Sequence, residues 1–235
     1  MGVAQARPPA RWIIGRVLMT RRLVQLLIGL FLYGIGIALI VRGGIGVAPW
    51  DVLTQGIDNY THLGFGLITI LISAVVLLLW IPIRQKPGAG TVLNAVLVGP
   101  AADVGLRLIP ADLDLWVRVL FFAAGLLTIA VATGLYIGTH FGPGPRDGLM
   151  TGLHKTTGWK IWIVRTGIEV VVLGVGWALG GNVGIGTVLF ALLIGPLCQR
   201  TLPFFAVKRP AGAVPPASGP TSDPPASGPA LATAP

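Results

Sequence analysis

Charged side chains are scarce in this sequence: only 11% of its 235 residues are Asp, Glu, Lys or Arg, whereas 54% are hydrophobic. A soluble domain has roughly 25% charged residues, because its surface must face water. The deficit excludes an ordinary soluble fold and predicts a surface that faces lipid. The formal charge of +9 does not indicate a nucleic-acid partner. The basic residues lie in short segments between apolar runs, which is typical of membrane topology.

Residues for metal binding and covalent catalysis are also few. The single cysteine, Cys198, excludes an intrachain disulfide or a multi-cysteine site, and its apolar surroundings indicate a small buried hydrophobe. The three histidines lie in or next to predicted loops, without the spacing of a metal site. No phosphate-binding loop or nucleophile elbow occurs. We therefore predict no enzyme, no metal and no cofactor.

Six apolar stretches predict membrane-spanning helices, at residues 22–41, 63–83, 90–108, 115–137, 160–180 and 186–205. At ~1.5 Å per residue, each approaches the ~30 Å thickness of the hydrocarbon core. They lack the alternation of a β-barrel, and their frequent glycines suit close packing of helices in lipid. The first stretch is long enough to span, and no small-residue cleavage site follows it. We therefore predict an uncleaved first helix rather than a signal peptide.

The Lys and Arg residues predict the orientation of the chain. If the N-terminus is cytoplasmic, the inner segments hold the basic N-terminal stretch 1–21 and most other cations. The outer segments then hold only Arg42 and the helix-end residues Arg107 and Arg118. Because cytoplasmic loops are enriched in Lys and Arg, both termini are predicted to be cytoplasmic. The tail at 206–235 is rich in Pro, Ala, Ser and Gly and is predicted to be disordered.

The chain contains an internal repeat with an offset of 96 residues and no gap. Matches of Gly, Pro and Asp place Pro49, Asp51, Gly99 and Pro100 on Pro145, Asp147, Gly195 and Pro196. Such matches at one offset are not explained by apolar composition. Each copy, 22–108 and 115–205, holds three spans, so the second should enter the membrane from the opposite side. Inverted repeats of this kind occur in secondary transporters and some channels, although duplication could also simply have produced a stable helix bundle.

Two motifs resemble those of a known family. They are Gly-x-Gly-x-x-Pro-Trp-Asp-x-Leu, from Gly44 to Leu53, and Gly-Thr-x-x-x-Ala-x-x-x-Gly-Pro, from Gly90 to Pro100. Over residues 20–205 the chain resembles the YczE/YyaS/YitT group of bacterial integral membrane proteins, although the second copy has Pro-Arg-Asp at 145–147. The resemblance implies a multi-spanning protein of the bacterial cytoplasmic (inner) membrane, with no established reaction or substrate.

The segment after the first span predicts a short extra helix in each copy. Pro49 suits a first helical position, and Asp51 in the first turn complements the helix dipole. The helix is either a re-entrant half-helix that points its N–H groups at a solute, or an amphipathic helix at the membrane surface. The second copy repeats both alternatives with Pro145 and Asp147. Each aspartate is either a capping residue or part of a solute or ion pathway.

Ionisable residues within the spans are candidates for that pathway. Glu169 lies near the middle of the fifth span, where an unpaired charge costs ~2.5–3.5 kcal/mol, and Arg165 lies four residues earlier on the same face. Asp103 and Arg107 have the same spacing in the third span. Intramembrane ionisable residues indicate function by default, yet local pairing is an equally good structural explanation.

The Gly-Pro pairs interrupt the third and sixth spans at matched positions. Gly99-Pro100 and Gly195-Pro196 predict either discontinuous helices beside a binding site or packing kinks. Asn94, one turn earlier, could face the pathway or a neighbouring helix.

The fold class predicted from these observations is an all-α membrane protein with six transmembrane helices in two inverted repeats. The function it favours is transport, by a small-solute secondary transporter or channel-like protein. The alternative is an accessory or scaffold protein that assists another complex. The expected partners are the lipid bilayer and an unknown small solute, and the sequence leaves open whether the chain forms a homo-oligomer.

Overall fold

The computed structural model describes residues 10–207, with side chains from residue 18 onward, and every regular element among them is a helix. The eight helices are α1 (Ala10–Gly43), α2 (Pro49–Thr61), α3 (Phe65–Leu79), α4 (Ala89–Leu108), α5 (Leu115–Gly138), α6 (Pro145–Thr157), α7 (Ile161–Ala178) and α8 (Ile185–Phe205). The predicted all-α class is therefore confirmed. The predicted disorder of the tail concerns residues that lie outside the described range, apart from 206 and 207.

Five helices are long and apolar enough to cross a membrane: residues 18–43 of α1, and α4, α5, α7 and α8. The second predicted span, 63–83, is shorter than expected, because α3 ends at Leu79. Its 15 residues extend ~22 Å, less than the hydrocarbon thickness. Only together with α2, from which it bends by 116°, does α3 qualify as a span. Helix α1 also begins earlier than predicted, so the helix includes half of the basic N-terminal stretch.

The repeat offset of 96 residues is visible in the helix boundaries. Helices α2, α3 and α4 begin at residues 49, 65 and 89, and α6, α7 and α8 begin at 145, 161 and 185. Backbone contacts between the halves are paired in the same way. The N–H of Gly90 donates to the carbonyl of Phe141 at 3.0 Å, and the N–H of Gly186 donates to the carbonyl of Ile45 at 2.8 Å.

Two arginines make a second reciprocal contact. Arg22 on α1 donates to the carbonyl of Thr139 at 2.9 and 2.6 Å, at the end of α5. Its repeat counterpart, Arg118 on α5, donates to the carbonyls of Gly43 and Gly44 at 2.9 and 2.8 Å, at the end of α1. The last carbonyls of a helix lack partners within that helix. Each arginine therefore caps the long helix of the other half.

Glycine allows the two long helices to lie against each other at the centre of the fold. A Cβ atom on Gly36 would lie 2.7 Å from the side chain of Ile129, and one on Gly125 would lie 2.7 Å from the carbonyl oxygen of Gly36. The prediction that glycine permits close helix packing is confirmed at these positions. Helices α4 and α8 pack on the outer sides of this α1–α5 pair.

The halves differ in how their third and fourth helices pack. Helix α3 lies along α4, whereas α7 and α8 barely touch. In the first half the N–H of Gly66 donates to Asp103 at 2.8 Å, and Gly99 lies against the Gly66 backbone. The counterparts of Gly66 and Asp103 are Trp162 and Gln199. Trp162 is 62% exposed, and an indole cannot make the close backbone contact that Gly66 makes in the first half.

The Gly-Pro pairs do not interrupt their helices. Helix α4 continues through Pro100 and α8 continues through Pro196, so discontinuous helices, one of the two predicted alternatives, are not found. A proline removes one backbone hydrogen bond, and the turns on both sides keep theirs.

Candidate functional site

A polar cavity of about 250 Å³ lies where the two halves meet. All eight helices contribute side chains to it. Its charged lining residues are Asp51, Arg146, Asp147, Arg165 and Glu169. The volume is just below the ~300–1,000 Å³ of pockets that hold drug-sized ligands. The cavity therefore suits a small polar solute.

The N-terminal ends of α2 and α6 meet at this cavity. Both helices begin with a proline at the first helical position, where the missing N–H is not needed and the fixed φ suits the first turn. Asp51 is only 2% exposed and Trp50 is 7% exposed, whereas Asn59 and Tyr60 at the other end of α2 are exposed. The start of α2 is thus buried in the protein and its end reaches the surface.

Arg146 of α6 crosses from the second half to the first. Its guanidinium carbon lies 5.2 Å from the centre of the Trp50 ring, and its Nη1 lies 3.5 Å from Oδ1 of Asp51. The side chain of Arg146 is 19% exposed. Trp50 and Arg146 occupy the same position in the two repeats, so the repeat-related residues contact each other directly.

Asp147 has different surroundings from its counterpart Asp51. It accepts a hydrogen bond of 2.8 Å from the hydroxyl of Tyr136, which is buried and packs edge-on against Tyr33 with ring centres 6.0 Å apart. Asp147 is exposed, whereas Asp51 is buried. The part of the cavity at Asp51 is therefore closed to solvent, and the part at Asp147 is accessible to it.

The predicted pair on the fifth span is confirmed. Arg165 donates from Nε to Glu169 at 3.0 Å, and both side chains line the cavity. Cys198, on the facing side of α8, lines the same space and is half-buried. The predicted small buried hydrophobe is therefore only partly buried, and it packs against the hydrophobic core.

Half of the other predicted site residues also reach the cavity. Asn94, Pro49, Pro145 and Gly195 line it. Gly99, Pro100 and Pro196 do not line it in the described part of the chain. Asp103 binds the backbone of α3 and makes no ion pair with Arg107 among the described residues. The predicted Asp103–Arg107 pair is wrong, because Asp103 instead accepts a hydrogen bond from Gly66 at the start of α3.

Sequence reasoning missed four important lining residues, namely Tyr33, Trp50, Tyr136 and Arg146. Tyr33 and Tyr136 are inconspicuous within apolar runs, and Trp50 stands out only as part of the motif from Gly44 to Leu53. Arg146 was counted only among the cytoplasmic cations and as a departure from the motif of the first copy. Its position opposite Trp50 in the repeat was the one signal that could have identified it.

An apolar groove of about 720 Å³ lies on the other side of Trp50, between α3 and α7. Its walls are aliphatic and aromatic, from residues such as Ile68, Ile72, Val164 and Ile168. Groups that could bind a polar solute are almost absent from it within residues 10–207. The polar cavity is therefore the candidate site.

Comparison with known proteins places the chain in a family. Residues 20–202 match the model of a family of unknown function, DUF6198, and the chain belongs to that family. It is 40% identical over 181 residues to an uncharacterized protein of Haemophilus influenzae, which covers 77% of this chain and 83% of the relative. It is 32% identical over 177 residues to the uncharacterized membrane protein YczE of Bacillus subtilis, with 74% and 82% covered.

A third relative is the uncharacterized protein YyaS of Bacillus subtilis, 28% identical over 180 residues, with 75% of this chain and 90% of the relative covered. No solved structure matches the chain significantly. The resemblance to the YczE and YyaS proteins is thus confirmed. Together with its apolar helices, it identifies a multi-pass membrane protein.

Proposed function

We propose that this member of the DUF6198 family is a small-solute transporter or channel-like protein of the bacterial cytoplasmic membrane. The observation that carries the proposal is the polar cavity, which all eight helices line and which holds three carboxylates and two guanidinium groups. Charged groups among membrane helices are costly and mark solute or ion pathways. A scaffold protein does not need such a cavity, and a tightly packed apolar centre would be expected for it.

The reciprocal contacts support an inverted repeat. In a two-fold arrangement, if one residue contacts a second, the counterpart of the second contacts the counterpart of the first. The Gly90–Phe141 and Gly186–Ile45 hydrogen bonds follow this rule, as do the two arginine caps. With three spans in each half, the axis would lie in the membrane plane. The cavity would then lie near the membrane midplane, where transporters of this architecture bind their solutes.

The burial pattern of α2 supports a re-entrant half-helix in the first copy. Its 13 residues extend ~20 Å, less than the membrane thickness. The polar residues Asp51 and Thr54 are buried against protein. A helix lying on the membrane surface would turn such residues towards water. We therefore favour a half-helix whose N-terminus faces the cavity.

The separation of α7 from α8 gives the cavity an opening. In the orientation predicted from the Lys and Arg residues, the start of α7 and the end of α8 lie on the cytoplasmic side. Arg165 and Leu202, which line the cavity, are close to these helix ends. The cavity would therefore open towards the cytoplasm.

The proposal is tested by finding a solute and then blocking its path. Growth and uptake profiling of a deletion strain over a broad solute panel would identify candidates, which purified protein in proteoliposomes should then take up. Modification of Cys198 with a maleimide should inhibit this uptake, because the thiol lines the cavity. A Cys198→Ala protein is the matched control and should be insensitive to the reagent. Failure of every solute to enter proteoliposomes that contain folded protein would refute the proposal.

A further inference from the structure

We propose that the solute is a small organic cation with an ammonium or guanidinium group, and that Arg146 occupies its binding site until the solute displaces it. The proposal rests on the proposed function, because it names the class of solute for the same cavity. It is carried by the surroundings of Arg146, by the net charge of the lining and by the aromatic rings beside it.

Trp50 and Asp51 already form a site that holds a planar cation. The guanidinium of Arg146 lies over the indole ring at 5.2 Å, within the ~6 Å at which cation–π attraction operates. The carboxylate of Asp51 lies 3.5 Å from the same group. Both host side chains are more than nine-tenths buried. The first repeat supplies the host, and the corresponding position of the second repeat supplies the cation.

Arg146 does not fully satisfy this site. A charge-assisted hydrogen bond between guanidinium and carboxylate is ~2.7–2.9 Å long, shorter than the 3.5 Å observed. Oδ1 of Asp51 is buried and has no hydrogen bond among the described residues. A buried acceptor without a hydrogen bond is costly. A free cation, which no backbone tether holds back, can approach Oδ1 more closely than Arg146 does.

The charge of the lining also favours a cation. Arg165 and Glu169 neutralise each other at 3.0 Å. The other charged residues of the cavity lining are Asp51, Asp147 and Arg146, which are two carboxylates and one guanidinium. The formal charge of the lining is therefore −1, and one monovalent cation would balance it. An anionic solute would face an excess of negative charge.

The uncharged part of the lining suits an organic cation rather than a hydrated metal ion. Tyr33, Trp50, Tyr136 and Phe190 all contribute to the cavity wall. Aromatic faces attract alkylammonium and guanidinium groups and contact their carbon atoms at the same time. Small inorganic cations prefer several oxygen ligands. No group of three or more potential metal ligands occurs in the described range.

The sole cysteine allows a binding test on the full-length protein in detergent. The rate at which a maleimide modifies Cys198 is measured with increasing methylguanidinium or tetramethylammonium chloride, with sodium chloride at equal ionic strength as reference. Either organic cation should slow modification at least fivefold at saturation, and sodium should not. Sodium acetate should give no protection, because the lining is negative.

Variants of Arg146 test the displacement. Arg146→Gln removes the internal competitor, so half-protection should need on the order of tenfold less methylguanidinium, since a site freed from an occupying group gains apparent affinity by the inverse of its free fraction. Arg146→Lys keeps a tethered cation and should stay near wild type. Arg107→Gln, at an exposed position outside the cavity, is the matched control and should behave as wild type.

The outcomes separate the two proposals. Protection that is absent from both wild type and Arg146→Gln, or that is equal in Asp51→Asn, would overturn the cation site. If Arg146→Gln does not fold, the cation site is still tested by the protection of the wild type and by the loss of that protection in Asp51→Asn. Protection by cations without uptake of any solute leaves the cation site standing and refutes transport. Uptake of a neutral or anionic solute without protection by cations leaves transport standing and refutes the cation site.

Discussion

Glu169→Gln should abolish uptake and leave the protein folded. The stability effect follows from the geometry of the pair with Arg165. The two side chains are 3.0 Å apart, but Glu169 is 24% exposed and Arg165 is 49% exposed. Exposed pairs of this kind contribute about 0.2–1 kcal/mol. For a chain of this size, the loss corresponds to a decrease in Tm of less than about 4 °C.

The effect on solute binding should be much larger. Removing the carboxylate of Glu169 changes the formal charge of the cavity lining from −1 to 0. For a cation held at an assumed separation of about 6 Å and an effective dielectric constant of about 20, the lost attraction is about 3 kcal/mol. That corresponds to roughly 100-fold weaker binding. Glutamine retains the size and hydrogen-bonding capacity of glutamate, so packing should change little.

Three variants decide the matter: Glu169→Gln, Arg165→Gln and the double change. Thermal unfolding in detergent measures stability, and proteoliposome uptake measures activity. The double variant has a lining of formal charge −1 again, so it should recover much of the uptake that Glu169→Gln loses. All three variants should unfold close to the wild-type temperature, because the pair is partly exposed. Wild-type uptake by Glu169→Gln would refute our reasoning.

Three further predictions concern the architecture. In a cysteine-free background, an impermeant thiol reagent should reach a cysteine at Lys86 only from the cytoplasm and one at Asp112 only from outside; the opposite pattern would overturn the orientation. Gly99→Ala should destabilise the protein by about 1–3 kcal/mol, because its Cβ would strike the backbone of α3. Its repeat counterpart, Gly195→Ala, should be neutral or stabilising by up to about 1 kcal/mol, because no atom lies within 4 Å of an added Cβ. Equal thermal unfolding of the two variants would contradict the asymmetry of the halves. Arg118→Met should cost about 1.5–3 kcal/mol in a thermal melt, because two helix-end carbonyls lose a charged donor; an unchanged melt would show that the cap is dispensable.

The sequence predicted those features that local patterns encode. An apolar run that must span lipid has a required length, so the predicted stretches at 90–108 and 115–137 agree with α4 and α5 to within one residue. Prolines at the start of α2 and α6 indicated first turns, because the fixed φ suits a helix and the missing N–H is not needed in its first turn. The Arg165–Glu169 pair was predictable because residues four apart share a helix face.

Features that depend on tertiary contacts were not predictable in this way. The spacing of Asp103 and Arg107 also fits a local pair, yet Asp103 accepts a hydrogen bond from the start of α3. The Gly-Pro pairs look alike in the two copies, but Gly99 is packed against α3 whereas Gly195 faces open space. Which partner a side chain finds depends on the neighbouring helix, and periodicity within one helix contains no information about it.

Apart from the repeated Asp51 and Asp147, the charged residues of the cavity lie where the two repeats differ, and the frame lies where they agree. Glycines, prolines and the helix-capping arginines recur at the offset of 96 and build the same backbone contacts twice. Three pairs of counterparts in the cavity differ between the copies: Trp50 and Arg146, Thr69 and Arg165, and Ser73 and Glu169. At each of these positions the first copy has a neutral side chain and the second has a charged one.

This division has a physical reason. Backbone contacts across a two-fold axis must suit both halves, so a change at one of them disturbs both copies. A single solute bound on the axis has no two-fold symmetry of its own when it has one charged end. A lining that recognises it must therefore be unequal, with the ring of Trp50 on one side and the charges of the second copy on the other. Restoring the repeat with Arg146→Trp should accordingly preserve the helices and remove the internal cation.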